Sequence, residues 1–226
     1  MSQSTNRIDF ATILASSIHD MKNSLASIRG LITDISLKSN NATPEFSQLE
    51  IESNRMNNSL IQLLSLYKME IEQFNVAIDE YAVEDMFADI TANQSNLLKL
   101  NNISIDTEYE QHDDDLCFCD FDLITSALST ILNNAQRYAN SKIILSTGII
   151  DNYRYFSIED DGRGFTEDLL VNNKQTDLNF YSGNTGLGLY FVAAIAKLHF
   201  TEDRFGYIQT SNESRLGGAK FSLFLP

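Results

Sequence analysis

The chain has 226 residues, which suits one large domain or two small ones, and its 43% hydrophobic content excludes a wholly disordered chain. A formal net charge of −15 disfavours nucleic acid and membrane surfaces as partners, because both are anionic. No apolar run approaches the ~20 residues that span a bilayer, and the N-terminus has no secretory signal, so we expect a cytoplasmic protein.

The first predicted elements are two long amphipathic helices. The first helix is predicted over 8–38, where apolar residues at 18–35 step by three and four positions as a helix seam does. Thr43 and Pro44 favour a new helix start, and the helical rhythm resumes over 46–67. A lone hairpin cannot bury both apolar stripes, so the pattern predicts that two chains form a four-helix bundle. The alternative is a monomeric helical pair that packs on the rest of the chain.

Beyond residue 72 the pattern changes to short strands mixed with helices. Helices are predicted over 83–100, 121–139 and 187–199. Strands are predicted over 76–79, 103–109, 116–119, 142–150, 153–159, 207–211 and 220–225. Residues 162–186 hold four of the ten glycines and predict a long mobile loop. This order indicates an α+β sandwich with helices on one face of a sheet.

The first candidate reactive group is His19. It lies one residue from the seam position Ile18, so its imidazole can face solvent at the edge of the seam. An imidazole is largely unprotonated near neutral pH and can act as a nucleophile. Asp20 can hold the other ring N–H, and Asn23 lies four residues on, on the same helix face. Taken alone, such residues are more often a polar surface pair.

Three further residues stand near the end of the helix predicted over 121–139. Asn134 and Arg137 share a face. An amide oxygen suits Mg²⁺, and a guanidinium can pair with phosphate. Tyr138 could stack on a base. The alternative is a polar helix end with Tyr138 in the core.

Two glycine motifs complete the candidate residues. Asp160 ends a predicted strand and could accept a hydrogen bond from an adenine amino group, while Gly162 and Gly164 let the backbone approach a ligand. Gly186 and Gly188 open a helix, whose N-terminal N–H groups can hold phosphate. The alternatives are an ordinary Asp-Gly turn and a plain glycine-rich helix start. The P-loop motif is absent from the sequence, which excludes that route to phosphate binding.

In this order, the motifs resemble the two-component sensor histidine kinases over nearly the whole chain. The resemblance implies a dimerisation and phosphoacceptor helical hairpin in residues 1–72. It implies an ATP-binding domain of the gyrase, Hsp90, histidine kinase and MutL superfamily, a Bergerat-type α/β sandwich, in residues 73–226. Three positions depart from the family pattern: Ser24, Thr130 and Asn184 replace a usual proline, asparagine and glycine.

The resemblance also implies a role for each motif residue. His19 is the phosphoacceptor, Asp20 activates it, and Asn23 orients water if the protein also dephosphorylates its partner. Asn134 holds Mg²⁺. The remaining positions implied to bind ATP are Arg137, Tyr138, Asp160, Gly162, Gly164, Gly186, Leu187 and Gly188.

We therefore expect a homodimeric, ATP-dependent protein histidine kinase that autophosphorylates His19. The phosphoryl group would pass to an aspartate in the receiver domain of a separate response regulator. Only about seven residues precede the first predicted helix, so the input signal is expected from a separate soluble sensor protein. The alternatives are a histidine phosphotransfer protein with a degenerate ATP domain, a phosphatase-dominant kinase, and a serine kinase of the anti-sigma type or another ATPase of the superfamily.

Overall fold

The structure is a computed structural model that divides into two compact units, Met1–Phe74 and Asn75–Pro226. The residues that it describes are 18, 20–28, 30–32, 35, 44–70, 75–110, 116–170 and 186–226. None of the helices within these ranges is both long enough and apolar enough to cross a bilayer.

The first unit is helical wherever it is described. The described residues between 18 and 35 are helical, and helix α1 runs over Pro44–Glu70. Pro44 opens α1, as its fixed backbone angle predicts. The helix continues through Ser24, whose Oγ donates a hydrogen bond to the carbonyl of Asp20 at 3.0 Å. Because serine keeps its backbone N–H, it does not break the helix as a proline at this position could.

The predicted seam of the first unit splits into two columns that each step by seven residues. One column is buried and comprises Ile18, Leu25 and Ile32. The other column is about half exposed and comprises Met21, Ile28 and Ile35. The chain therefore leaves one apolar column of this helical segment uncovered.

The second unit contains three helices, a five-stranded sheet and two smaller two-stranded sheets within its described residues. The helices are α2 (Val83–Leu100), α3 (Phe121–Tyr138) and α4 (Gly186–Leu198). The strands are β1 (Asp79–Ala82), β2 (Ser104–Tyr109), β3 (Leu116–Cys119), β4 (Lys142–Ile150), β5 (Tyr153–Asp160), β6 (Phe200–Thr201), β7 (Arg204–Phe205), β8 (Tyr207–Ser211) and β9 (Lys220–Leu225).

The five-stranded sheet has the order β2-β4-β5-β9-β8. Only β2 and β4 are parallel, and the other neighbours are antiparallel. Asp151 and Asn152 join β4 to β5 with φ of 51° and 62°, the left-handed angles of a two-residue hairpin turn. These two residues lie in the gap between the strands predicted over 142–150 and 153–159.

All three helices of this unit pack on the same face of the sheet. The ring of Phe87 on α2 lies 6.1 Å from that of Phe156 on β5. Ile158 points to the same face as Phe156, because strand side chains alternate. It lines a cleft together with Ile131 of α3 and Leu189 of α4. The predicted α+β architecture is confirmed.

One predicted strand needs correction, and one hairpin was missed. The strand predicted over 76–79 is β1, Asp79–Ala82, because pairing with β3 sets its position, with Asp79 opposite Cys119 and Ala82 opposite Leu116. The hairpin of β6 and β7 was not predicted. Its strands have two residues each, too few to show an alternating pattern.

A buried polar cluster joins the start of α3 to the end of α4. Asp120 caps α3, because its Oδ1 accepts a hydrogen bond from the Leu123 N–H at 3.0 Å. Its Oδ2 accepts from the Ala77 N–H at 2.9 Å. Its backbone N–H donates to Nε2 of His199 at 3.0 Å, and Nδ1 of that ring lies 2.9 Å from the Ile195 carbonyl. His199 is therefore a neutral ring with its proton on Nδ1, and burial lowers its pKa.

Candidate functional site

A cleft lies at the end of β5, between the sheet, α3, α4 and the segment that follows β5. It encloses about 700 Å³ of empty space, a volume that includes open solvent at its mouth. Its apolar lining residues are Ile131, Ala135, Ile158, Phe165, Leu169, Leu189, Ala219 and Phe221. The rest of the lining is Asn134, Tyr138, Asp160, Arg163, Gly164 and Thr166. Four of the predicted site residues therefore meet in one cleft: Asn134, Tyr138, Asp160 and Gly164.

Asp160 is the buried acid of this cleft, with 5% of its surface exposed. Its Oδ1 accepts hydrogen bonds from the N–H groups of Gly162 at 2.8 Å and Ala219 at 3.2 Å. Among the residues that the structure describes, none donates a hydrogen bond to Oδ2. Burial raises the pKa of Asp160, although the two backbone N–H groups oppose this effect. The carboxylate thus has one oxygen fixed by the fold and one available to a donor.

The neighbouring carboxylates, Glu159 and Asp161, are held by hydrogen bonds within the fold. Burial would raise the pKa of Glu159, but hydrogen bonds from Arg215 hold it below its ordinary value. Asp161 accepts from the N–H of Asn140 at 2.8 Å and from the Ser141 Oγ at 2.6 Å. These contacts outweigh desolvation and lower the pKa of Asp161 to about 2. Only the middle acid of the three lines the cleft.

The glycines after Asp160 permit close backbone contacts. A Cβ on Gly162 would lie 2.3 Å from the carbonyl oxygen of Tyr138, so a larger residue would push the end of α3 away from Asp160. Gly164 has a φ of 79°, which favours glycine. Gly162 is therefore a packing position behind the cleft, whereas Gly164 lines the cleft itself.

The end of α3 contributes an amide and an aromatic ring. Asn134 and Tyr138 are four residues apart, so one face of α3 presents both to the cleft. Arg137 is exposed and is not among the lining residues; its guanidinium carbon lies 5.5 Å from the Tyr138 ring centre. The guanidinium carbon of Arg163 lies 4.8 Å from the same ring centre. Two cations therefore flank one tyrosine at the cleft.

The first turn of α4 lies beside Asn134. A Cβ on Gly188 would be 3.2 Å from Cγ2 of Thr130 and 3.7 Å from Nδ2 of Asn134. Gly186 begins the helix, and Leu187 follows it, half-buried. The predicted loop over 162–186 is described only to residue 170, where Glu167–Leu169 form a 3₁₀ turn. Asn184 lies outside the described residues.

A loop before β9 holds the segment after β5 in place. Asn212 accepts a hydrogen bond from the Phe165 N–H at 2.6 Å and donates to its carbonyl at 2.9 Å. The Ser214 Oγ donates to the Asp160 carbonyl at 2.9 Å. A Cβ on Gly218 would lie 2.6 Å from Oδ1 of Asp160. The sequence analysis assigned no role to Asn212, Gly218 or Arg163 at the cleft. The adjacent glycines Gly217 and Gly218 are a signal that could have indicated a close backbone approach.

In the first unit, Asp20 and Asn23 are exposed on the same helical segment. His19 lies outside the described residues. Its predicted role as the phosphoacceptor therefore stays a prediction.

A family model and two known proteins are similar to this chain. The family model described as histidine kinase-, DNA gyrase B-, and HSP90-like ATPase matches residues 119–226. Sporulation kinase D of Bacillus subtilis is 23% identical over 210 residues, which cover 91% of this chain and 40% of that protein. Sensor protein KdpD of Clostridium acetobutylicum is 25% identical over 232 residues, which cover 96% of this chain and 24% of that protein. This chain thus spans less than half the length of either relative.

Two solved structures share the fold. The Acinetobacter baumannii histidine kinase AdeS matches with a TM-score of 0.61 and 18% identity, over 92% of this chain and 96% of that one. Full-length ShkA, solved in complex with AMPPNP, matches with a TM-score of 0.67 and 18% identity, over 95% of this chain and 45% of that one.

Residues 119–226 therefore resemble the ATPase domain that histidine kinases, DNA gyrase B and HSP90 share. The resemblance to the two-component sensor histidine kinases is confirmed, because the chain is similar to proteins of this kind over more than nine tenths of its length.

Proposed function

We propose that the chain is an ATP-dependent protein histidine kinase, which phosphorylates His19 and passes the phosphoryl group to an aspartate of a response regulator receiver domain. The observation that carries the proposal is the burial of Asp160 and the hydrogen bonding of its two carboxylate oxygens. This acid is buried in a largely apolar cleft, and only one of its two oxygens accepts hydrogen bonds from the described residues. A ligand with an apolar ring and an amino donor fits such a site.

Adenine has both properties. Its exocyclic amino group can donate to Oδ2 of Asp160, while Oδ1 stays on the N–H groups of Gly162 and Ala219. The apolar side chains of Ile131, Ile158 and Phe221 offer the ring a dry surface. A charged acceptor in such surroundings forms a stronger hydrogen bond than a neutral one.

The phosphates would lie towards Asn134 and the start of α4. The N–H groups of a helix N-terminus and its positive dipole end favour phosphate. Mg²⁺ usually takes one or two protein groups and completes its shell with phosphate oxygens and water, so the amide oxygen of Asn134 is a suitable ligand. When bound, the ion offsets the repulsion between the nucleotide and a chain of net charge −15. Arg137, exposed one helical turn from Asn134, could contact the phosphates.

The chemistry would take place at His19. A ring nitrogen of the imidazole attacks the γ-phosphorus, the bond from that phosphorus to the β–γ bridging oxygen breaks, and ADP leaves with the electron pair. Asp20 would accept the proton of the other ring nitrogen in a hydrogen bond, which stabilises the positive charge that forms on the ring. In the second step a receiver carboxylate attacks the same phosphorus, and the P–N bond breaks.

The first unit supports the proposed homodimer. Met21, Ile28 and Ile35 form an apolar column that is about half exposed. A second copy of the helical segment would cover such a column, because seven-residue spacing is the pattern of packed parallel or antiparallel helices.

The test is autophosphorylation with γ-labelled ATP. We expect a protein-bound label that is stable in alkali and lost in acid, as a phosphohistidine is. His19→Ala should abolish the label, whereas the control His112→Ala should keep it. Retention of the label in His19→Ala would contradict His19 as the acceptor.

The alternatives lead to different results in two further assays. A histidine phosphotransfer protein with a degenerate ATP domain would accept phosphate from a phosphorylated receiver but would not bind ATP in a titration. A phosphatase-dominant kinase would bind ATP and would mainly remove phosphate from the receiver, an activity that Asn23→Ala should reduce.

A further inference from the structure

Arg163 is a cation that lines the cleft. Its side chain is exposed, and its guanidinium carbon lies 4.8 Å from the ring centre of Tyr138. Within the described part of the chain it has no carboxylate partner and no hydrogen bond from its guanidinium group. In a chain with 31 acidic and 16 basic residues, an arginine beside a cleft that has no acidic partner among the described residues is a candidate ligand-binding group.

The backbone on both sides of Arg163 is fixed. The Gly162 N–H donates to Oδ1 of Asp160, and a Cβ on Gly162 would contact Tyr138. On the other side, both the N–H and the carbonyl of Phe165 bond to the side chain of Asn212. Arg163 therefore extends from a held backbone segment, so a ligand that orders its side chain does not also have to order the backbone.

The position of Arg163 along the cleft indicates which part of a nucleotide it meets. It lies three residues after Asp160, and both line the cleft. The group suited to phosphate is at Asn134, beside the first turn of α4. Arg163 instead lies over Tyr138, one helical turn beyond Asn134, and follows Asp160 in the chain. These two neighbours favour the end where the proposed function places the base.

We propose that Arg163, which lies over the ring of Tyr138, forms a wall of the base-binding end and contacts the nucleobase rather than the phosphates. The guanidinium group is flat and stacks on aromatic rings, which a lysine ammonium cannot do in the same way. This inference rests on the proposed function, because it takes the cleft to be a nucleotide site.

The test measures the affinities of adenosine, ADP and a non-hydrolysable ATP analogue for the purified chain, by nuclear magnetic resonance titration that reaches millimolar dissociation constants. We expect Arg163→Ala to weaken all three ligands by the same factor, about 3- to 30-fold. Arg163→Lys keeps the charge but loses the plane, and it should bind adenosine no better than Arg163→Ala within about twofold.

Arg204→Ala is the matched control. Arg204 also lies over a tyrosine, 5.6 Å from the ring centre of Tyr153, and it donates to the Asn152 carbonyl at 2.9 Å. Neither Arg204 nor Tyr153 lines the cleft. This variant should bind all three ligands as the unmodified chain does.

Three outcomes would overturn the inference. In the first, Arg163→Ala binds adenosine as tightly as the unmodified chain. In the second, the loss grows from adenosine to ADP to the ATP analogue and shrinks with added salt, which would make Arg163 a phosphate ligand. In the third, the unmodified chain binds none of the ligands; this result alone would also overturn the proposed function.

Discussion

Two buried aspartates stand near opposite ends of α3, and they differ in how many of their oxygens the fold uses. Asp120, at the start of the helix, accepts a backbone N–H on each carboxylate oxygen, from Leu123 and Ala77. Asp160, beyond the other end, accepts two N–H groups on Oδ1, and no described residue donates to Oδ2. Both are nearly inaccessible, with 8% and 5% of their surfaces exposed.

Burial alone therefore does not mark a functional acid. A buried carboxylate whose oxygens are all paired stabilises the fold, and its loss exposes the cost of unpaired N–H groups. A buried carboxylate with an unpaired oxygen facing a cleft is poised for an external donor. The same substitution, aspartate to asparagine, should therefore have opposite consequences at the two positions.

The largest effect is expected for Asp160→Asn. The amide oxygen can keep the two N–H groups on one side, but the amide NH₂ then points into the cleft, where the adenine amino group would meet a donor. We expect the affinity for ADP to fall roughly 30-fold to 150-fold. The melting temperature should stay within about 2 °C, because burial disfavours the charge that the substitution removes.

Calorimetric titration with ADP and a thermal melt followed by circular dichroism measure the two quantities on the same sample. Unchanged ADP affinity in Asp160→Asn would refute the assignment of Asp160 to the base.

Asp120→Asn should show the reverse pattern. In either orientation of the amide, its NH₂ faces one of the two N–H groups that the carboxylate oxygens accept, so one buried hydrogen bond becomes a contact between donors. We expect the free energy of unfolding to fall by about 1–3 kcal/mol, while the ADP affinity of the folded protein is unchanged. Urea unfolding followed by circular dichroism measures the loss. Equal stability of Asp120→Asn and the unmodified chain would show that the cap is dispensable.

The sequence could predict the elements better than this difference between the aspartates. The helix over 83–100 and the strands over 116–119, 142–150, 207–211 and 220–225 have the predicted bounds, because their patterns are local and strong. β1 was misplaced by three residues, because its bounds depend on pairing with a strand over thirty residues further along the chain.

Sequence analysis named four of the residues that line the cleft and missed the others. The order of the motifs pointed to Asn134, Tyr138, Asp160 and Gly164, which meet in the cleft. The contacts that fix them join distant residues, such as Asn212 with Phe165, 47 positions apart, and periodicity gives no signal for such pairs. Nor could the sequence show that Asp161 bonds to Asn140 and Ser141 while its neighbour Asp160 lines the cleft.

The smallest expected effect is the loss of stability in acid that His199, the ring bonded to the Asp120 N–H, contributes. Burial lowers the pKa of His199 below the ordinary value of 6.5, and its unprotonated Nε2 accepts the Asp120 N–H. Above about pH 6.5 the ring is neutral in both the folded and the unfolded chain, so its contribution to stability is complete. Below that pH the unfolded chain takes up the proton first. Stability should therefore fall by up to about 1.4 kcal/mol per pH unit until the folded pKa is reached.

His199→Gln isolates this contribution, because glutamine can accept the Asp120 N–H but does not titrate. Urea unfolding between pH 7.5 and 5.5, a range chosen to bracket the ordinary histidine pKa, should show a shallower loss of stability in the variant than in the unmodified chain. Asp160 should add no loss over this range, because a carboxyl whose pKa is raised on folding binds its proton more readily in the folded state, and acid then favours folding. If stability falls equally with pH in the two proteins, another group carries the acid sensitivity. Protonation of His199 would then not affect the Asp120 cluster.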